Sequence, residues 1–308
     1  MKNVLIIGTG SIAQKHIKIL SRLGYNIYVY SRNNFSFFKK KTKITKLTNL
    51  DNLNNFKFAI IANKTSEHLQ ALKTLIKEKI HIYCEKPIFH KKFNYKNLRN
   101  IIKKNKIVFH NGYQLQNDDK IKYLKKKLKR LTIKSFQMSV GHDFTKWRKN
   151  GVLKNSYFSD FKKGGGVIFE LVHEVNLINS LFGKIKKIQT LKSKSKKFKC
   201  EDAAVSIIST EKNIIGTLYQ DMFSNILFRN IKIVTDKELL TIDLVKNRIT
   251  ENKKIRRFKN SNKQLDLLKK NILFFKRRIK VKDYSLKYYD DLTFDLDICL
   301  KMHNYKLI

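Results

Sequence analysis

Acidic residues are scarce in this sequence and proline is nearly absent: 24 Asp and Glu stand against 67 Lys and Arg, and Pro87 is the single proline. A net charge of +43 raises the question of a polyanionic partner, either nucleic acid or an anionic membrane surface. The signatures of such a partner are missing. There is no helix-turn-helix, zinc-finger or RNP-type pattern, and the basic residues are mostly lysines spread along the whole chain, not arginines gathered for bidentate contacts. Lys, Asn and Ile are abundant everywhere, so the charge reads as compositional bias. Polyanion binding ranks last among the functions considered, and no specific nucleic acid is expected. A milder use of the charge is to steer a negatively charged small substrate.

Other absences narrow the class further. No apolar run approaches the roughly 20 residues that span a bilayer, so membrane insertion is not expected. The short apolar stretch after Met1 breaks at Gly8 and Gly10 and lacks the longer apolar region and cleavage site of a signal peptide. Cys84, Cys200 and Cys299 are odd in number and far apart, which suits a reducing compartment without a disulfide framework; a cytoplasmic location is expected. Eight histidines and three cysteines show no ligand spacing, so no metal site is expected. No internal repeat is visible. With 42% hydrophobic and 11% aromatic residues over 308 positions, the chain has core enough for one large domain or two ordinary ones.

Apolar periodicity orders the chain. Residues 2–7 form an apolar run, Gly8-Thr9-Gly10-Ser11-Ile12-Ala13 follows, and a helical pattern runs to Leu23. Strand (Asn26–Tyr30), strand (Phe58–Ala62), helix (Ser66–Lys79), strand (Ile80–Cys84), helix (93–104) and strand (Lys106–His110) continue the alternation of a doubly wound parallel sheet. A basic helix follows at about 118–130. From Thr132 the pattern changes to strands at 132–140, 185–191, 203–210, 214–222, 231–234 and 239–244, with one amphipathic helix over 167–182 and two closing helices at 262–278 and 289–304. The expected architecture is a Rossmann domain over residues 1–118 and an α+β domain over 119–308. The second domain is built on a mainly antiparallel open sheet that mediates self-association into a homo-oligomer, a dimer or tetramer.

Within that frame a few residues carry chemistry. Gly8 allows a tight strand-to-helix turn, and Gly10 lets backbone approach a pyrophosphate at the positive helix end, with Ser11 and Ile12 in the first turn. Where an acid usually reads the ribose hydroxyls, this chain has Ser31-Arg32, a pair suited to a 2′-phosphate; NADP is favoured over NAD. Arg32 as a solvated loop residue is the alternative. Glu85-Lys86-Pro87 lies just past a buried strand, at the sheet edge where ligands bind, although a strand stop followed by a loop lysine would look the same. His173 is either a site residue or a hydrogen-bonded core histidine. Glu170 and Asn176 flank it at minus and plus three, and three polar groups on one helix face favour the site.

Taken together, Gly8-Thr-Gly-Ser-Ile-Ala13 with His16, Ala62-Asn63 with Thr65-Ser66 and His68, Glu85-Lys-Pro87, and Gly164-Gly-Gly166 leading to His173-Glu174 resemble the Gfo/Idh/MocA oxidoreductases. The resemblance covers nearly the whole chain. Trp147-Arg148, Ser156-Tyr157 and the segment from Glu170 to Asn176 resemble a branch linked to bacterial surface-sugar and nucleotide-sugar pathways.

The resemblance implies hydride transfer between a nicotinamide and a sugar-like alcohol or carbonyl. It implies Lys86 as the group that stabilises charge on the reacting oxygen and His173 as general acid or base, with Glu170 beside it. It places Asn63, Thr65, His68, Glu85 and Lys86 with the cofactor, and Tyr113, Trp147, Arg148 and Asn176 with the substrate; Arg148 suits a carboxylate or phosphate, and Trp147 either binds or packs. Departures accompany these matches: Lys64 for a usual proline, Phe169 for a frequent aspartate four residues before the histidine, Gln116-Asn117-Asp118 for an Arg-Phe stretch, and Asn176 for an aspartate. They keep open a relative that binds NADP with little or no turnover.

Overall fold

The structure, a computed structural model, describes residues 2–32, 44–147, 156–195, 198–258 and 264–305. Its residues divide into two compact units, 1–114 with 264–294 and 115–263 with 295–308.

The first unit is a six-stranded sheet of β1 (Asn3–Ile7), β2 (Asn26–Tyr30), β3 (Ile44–Leu47), β4 (Phe58–Ile61), β5 (Ile82–Cys84) and β6 (Phe109–Asn111). Their order is β3-β2-β1-β4-β5-β6, and every pairing is parallel. Parallel strands covered on both faces read as unbroken apolar runs, and β4 (FAII) is buried at each position. Helices α1 (Ser11–Arg22), α2 (His68–Lys77) and α3 (Tyr95–Lys104) connect the strands. On α1 the buried residues Ala13, His16, Ile17, Ile19 and Leu20 form the inward stripe, as a 3.6-residue period requires. Gly24, at φ +72°, turns the chain out of the helix into β2.

The second unit contains α4 (Asp119–Leu128), β7 (Ile133–Gly141), α5 (Val167–Glu170), α6 (His173–Phe182), β8 (Ile185–Ser193), β9 (Ala203–Thr210), β10 (Ile215–Asp221), β11 (Phe228–Thr235), β12 (Leu239–Asp243), β13 (Arg248–Glu251) and β14 (Lys254–Arg257). The sheet order is β14-β13-β12-β11-β7-β10-β9-β8. All its pairings are antiparallel except β7 with β10. Along β8 and β9 exposed and buried positions alternate, so one face of the sheet is packed and the other open.

Two expectations change. The boundary is not a single cut near residue 118, because α7 (Gln264–Lys280) returns to the first unit and packs Leu268, Ile272 and Phe275 among Val4, Ile6, Phe58 and Tyr83. Of the last helix, α8 (Lys287–Asn304), residues 287–294 group with the first unit and 295–304 with the second. The single amphipathic helix expected over 167–182 is instead two helices, α5 and α6, buried without a break through Ile178. They part at Leu171, whose carbonyl accepts a hydrogen bond from the buried Gln220 Nε2 at 2.9 Å. Strands β3, β13 and β14 extend the sheets beyond the runs visible in sequence.

Candidate active site

In the first unit the site is built at the carboxyl ends of the parallel strands. Gly8 leaves β1 at φ +116°, and a Cβ there would lie 2.6 Å from the Ala62 carbonyl oxygen and the Asn63 nitrogen, so the turn requires glycine. Gly10 is different. It caps α1 at φ −66° and ψ 179°, and a Cβ built on it would meet nothing within 4 Å. The protein itself does not demand glycine at position 10, which stands before open space at the head of the helix. The first-turn N–H groups of Ser11 and Ile12 have no partner within the helix, and no acid lies in that turn to compete for them.

Neighbouring residues furnish the walls. Thr9 Oγ1 and Ser31 Oγ are 3.4 Å apart. Arg32 donates from Nη2 to Gln70 Oε1 at 2.8 Å. Arg32 follows β2, Gln70 lies in the first turn of α2 after β4, and β1 runs between those strands. The bond therefore passes over the carboxyl end of β1. Asn63 donates to Glu67 Oε2 at 3.3 Å, while its own Oδ1 is buried with no hydrogen-bond partner among the described residues. Thr65 is buried in the short turn Thr65–Glu67.

His68 joins the β4 turn to the turn after β5. Its Nε2 lies 3.1 Å from the Asn63 carbonyl oxygen and its Nδ1 2.9 Å from that of Pro87. Burial holds its pKa below the usual histidine value, against the opposing pull of both carbonyls. Glu85, at the end of β5, is buried and accepts from His16 Nε2 at 2.7 Å. Gly112 makes room for it, since a Cβ there would stand 2.5 Å from Glu85 Oε2. Lys86 follows, half-buried, and the Lys86–Pro87 peptide is cis. Tyr113, after Gly112, is buried. The Glu85 carboxylate, expected on the cofactor side, is hydrogen-bonded to His16, a residue noted only as part of the glycine motif. Gln70 was missed altogether, because a glutamine in a helix's first turn carries no distinctive signal.

In the second unit the triple glycine threads a crowded passage. A Cβ on Gly165 would lie 2.3 Å from the Tyr157 carbonyl oxygen, and Gly164 and Gly166 take φ of +86° and +113°. That passage delivers α5 and then α6. Glu170 ends α5, is buried, and accepts from the Tyr157 hydroxyl at 3.3 Å. His173 opens α6 and is buried. One turn on, Asn176 Nδ2 donates to Asp295 Oδ2 at 2.8 Å, and its Oδ1 accepts from Gln116 Nε2. Phe169 is fully buried against the rings of Phe161 and His303. Of Trp147 only the backbone is described, at the end of the turn Phe144–Trp147, and Arg148 lies outside the described residues. The structure thus gathers the glycine turn, Ser31, Arg32, Asn63, Thr65, His68, Glu85, Lys86 and Tyr113 within one unit, and Glu170, His173 and Asn176 within the other. Among the described residues no group of three His, Cys, Asp or Glu could hold a metal ion, and no helix is long and apolar enough to cross a membrane.

The residues of the first unit fit a nicotinamide dinucleotide: open space beside Gly10 at the N-terminus of α1, an unpartnered buried amide oxygen on Asn63, and a hydroxyl and guanidinium after β2. Residues 2–113 match the model of the Gfo/Idh/MocA oxidoreductase family with its NAD-binding Rossmann fold. This N-terminal domain belongs to that family. No curated protein matches the chain by sequence. Solved structures share the fold over nearly its full length. An oxidoreductase from Thermotoga maritima superposes with a TM-score of 0.83 at 15% identity, covering 98% of this chain and 95% of that one. UDP-N-acetylglucosamine 3-dehydrogenase from Acidithiobacillus ferrooxidans gives 0.81 at 14%, covering 97% and 95%. Myo-inositol 2-dehydrogenase from Lactobacillus plantarum gives 0.77 at 16%, covering 98% and 97%. At these identities the likeness is one of fold.

Proposed function

We propose that the protein is an NADP-dependent oxidoreductase that interconverts an alcohol and a carbonyl on a sugar-like substrate, with nucleotide sugars as the leading class. The observation that carries the reading is the glycine turn. Gly8 is required by the fold, whereas Gly10 faces open space at the positive end of α1. The family of the N-terminal domain supports it, and so do the sugar and inositol substrates named for proteins of the same fold. The preference for NADP rests on Ser31 and Arg32, which offer a hydroxyl and a guanidinium where a ribose-reading acid is usual.

The bound nicotinamide supplies or accepts the hydride. Lys86 holds negative charge on the reacting oxygen, and His173 takes the hydroxyl proton in oxidation and returns it in reduction. Glu170, three residues before His173, is assigned with them. Asn63, Thr65, His68 and Glu85 shape the cofactor side, either directly or by fixing the turns that do. Tyr113, Trp147, Arg148 and Asn176 are assigned to the substrate. The location is cytoplasmic. The open sheet face mediates self-association: exposed Leu191, Val205, Ile207 and Ile215 lie on adjacent strands, with Leu191 paired to Val205 in register.

The testing experiment is titration with NADPH and NADH, followed by absorbance at the reduced nicotinamide band with a panel of sugars and nucleotide sugars. Tighter binding of NADPH and turnover of at least one panel member are expected; no binding of either dinucleotide refutes the proposal. Light scattering of wild type and Ile207→Lys tests the oligomer, with a monomeric wild type refuting it. One observation favours a second reading, cofactor binding with little turnover: Phe169 places an aromatic ring, with no ionisable group, four residues before His173. Tight NADPH binding with no turnover across the panel would decide for it.

A further inference from the structure

Gln116 and Asn176, two separate oddities in the sequence, are hydrogen-bonded to each other and form the middle of a longer chain. Lys125 Nζ donates to Gln116 Oε1, Gln116 Nε2 donates to Asn176 Oδ1, and Asn176 Nδ2 donates to Asp295 Oδ2 at 2.8 Å. Asn179, one turn along the same helix, donates from Nδ2 to the other carboxylate oxygen, Asp295 Oδ1, at 2.6 Å. Gln116 is also tied to α6 through Ser180 Oγ at 3.1 Å. Asp295 is 1% exposed. An ammonium only donates and an ionised carboxylate only accepts, so both ends of the chain dictate the same direction and each amide can take one orientation.

We propose that Asp295 is a positioning residue for the helix that begins at His173. It acts through Asn176 and Asn179 and makes an amide, not an acid, obligatory at position 176. The inference rests on the oxidoreductase reading for the importance of His173, and on the contacts above for the rest. One carboxylate grips two amides three residues apart on α6, which fixes both the helix's rotation and its axial place. An acid at 176 would set two carboxylates against each other in a site where one is already buried, and like charges at that distance cannot both ionise. The missing aspartate is therefore a consequence of Asp295, with Gln116 as the matching neutral partner on the other side.

The charge can be exchanged between the two positions. Asn176→Asp should lower the melting temperature at pH 7.5 by about 10 °C, the scale of breaking a buried pair in a unit of this size. The double variant Asn176→Asp/Asp295→Asn restores one carboxylate and one amide and should recover at least half of that loss. The structural readout is the His173 ring resonance in histidine-labelled protein, assigned by its disappearance in His173→Asn. Asp295→Asn alone, the mildest change, should shift that resonance while leaving the NADPH dissociation constant within about threefold. A double variant no better than Asn176→Asp overturns the proposal, as does a His173 resonance that stays in place in Asp295→Asn. A wild type that binds no dinucleotide fails the oxidoreductase reading instead, and the two failures are read from different samples.

Discussion

The two glycines of the β1–α1 turn separate a structural role from a ligand role, and substitutions should expose the difference. Gly8 sits at φ +116°, where a side chain would be strained, and its Cβ would press to 2.6 Å on the backbone of Ala62 and Asn63. Those backbone atoms belong to the end of the neighbouring strand and cannot swing aside. The dihedral alone costs about 1–3 kcal/mol, and with the clash Gly8→Ala should lose on the order of 3 kcal/mol, which is about 10 °C in melting temperature. Gly10 already has dihedrals open to any residue, and its Cβ direction is empty to 4 Å. For Gly10→Val, a loss of a few tenths to about 1 kcal/mol at the N-cap is offset by about 0.4–1 kcal/mol from a stiffer unfolded chain. The apo protein should melt within about 3 °C of wild type.

Cofactor binding should reverse the ranking of harm per degree of stability lost. If a pyrophosphate accepts from the first-turn N–H groups of α1, valine at 10 blocks its approach and removes at least two charge-assisted hydrogen bonds. These contribute about 1.5–3 kcal/mol each, so NADPH affinity should fall at least about a hundredfold. Thermal melting and fluorescence titration of NADPH on the same preparations give both numbers. A folded Gly10→Val protein that keeps its NADPH affinity within threefold would refute the pyrophosphate assignment. A Gly8→Ala protein as stable as wild type would refute the geometry of the turn.

Arg32→Ala should weaken NADPH at least tenfold more than NADH, the loss of one charge-assisted contact to a 2′-phosphate; Gln70→Leu, which frees the guanidinium, should reduce the same selectivity by less. Equal loss for both dinucleotides in Arg32→Ala would remove it from the phosphate site. Lys86→Met and His173→Asn should each slow turnover by about a hundredfold or more with NADPH affinity nearly intact, and His173→Asn should delete one limb of the pH–rate profile; full activity in either excludes that residue from the mechanism. Burial holds the His110 imidazole, which bonds to Asn271 through Nε2 at 3.0 Å, down at about 3. Because the unfolded chain takes up that proton first, the stability from neutral His110 is complete above pH ~6.5 and is lost towards pH 3, at up to about 1.4 kcal/mol per pH unit. His110→Phe should flatten the decline of melting temperature between pH 6.5 and 4, and an identical slope would show that the titration lies elsewhere.

Much of the first unit was legible because local chemistry dictates it. A glycine turn directly after an apolar run and before a helical period leaves one common solution; the fold requires glycine at Gly8, while Gly10 stands before open space at the head of α1. The strands missed were those without a pattern. β14 reads KIRR and is exposed at every position, and the central residues of β3 face solvent, so neither shows the alternation that marks a half-buried strand. The destination of α7 was hidden for a different reason. Periodicity gives a helix an apolar face but not the partner of that face, and Leu268, Ile272 and Phe275 pack on strands more than 180 residues earlier in the chain. Similarly, at the break between α5 and α6 the Leu171 carbonyl accepts from Gln220 on a distant strand, a contact that no window of local sequence contains.

Departures from a family pattern are read singly in a sequence and jointly in a structure, and the two kinds found here call for opposite treatment. Gln116 and Asn176 meet, so each explains the other, and their charge deficit is made good by Lys125 and Asp295 at the ends of the chain. Phe169 belongs to another environment. It is fully buried, its ring centroid lies 5.6 Å from that of Phe161 and 6.0 Å from that of His303, and His303 is itself bound to Glu201 Oε2 at 3.0 Å. Phe169→Asp would leave a cavity and bury a carboxylate among rings, which together cost about 3–5 kcal/mol or more. The expected outcome is a protein that melts at least about 10 °C lower and gains no turnover. A Phe169→Asp protein of wild-type stability with raised activity would show that position 169 faces the chemistry after all, and would make the phenylalanine the reason for a weak enzyme.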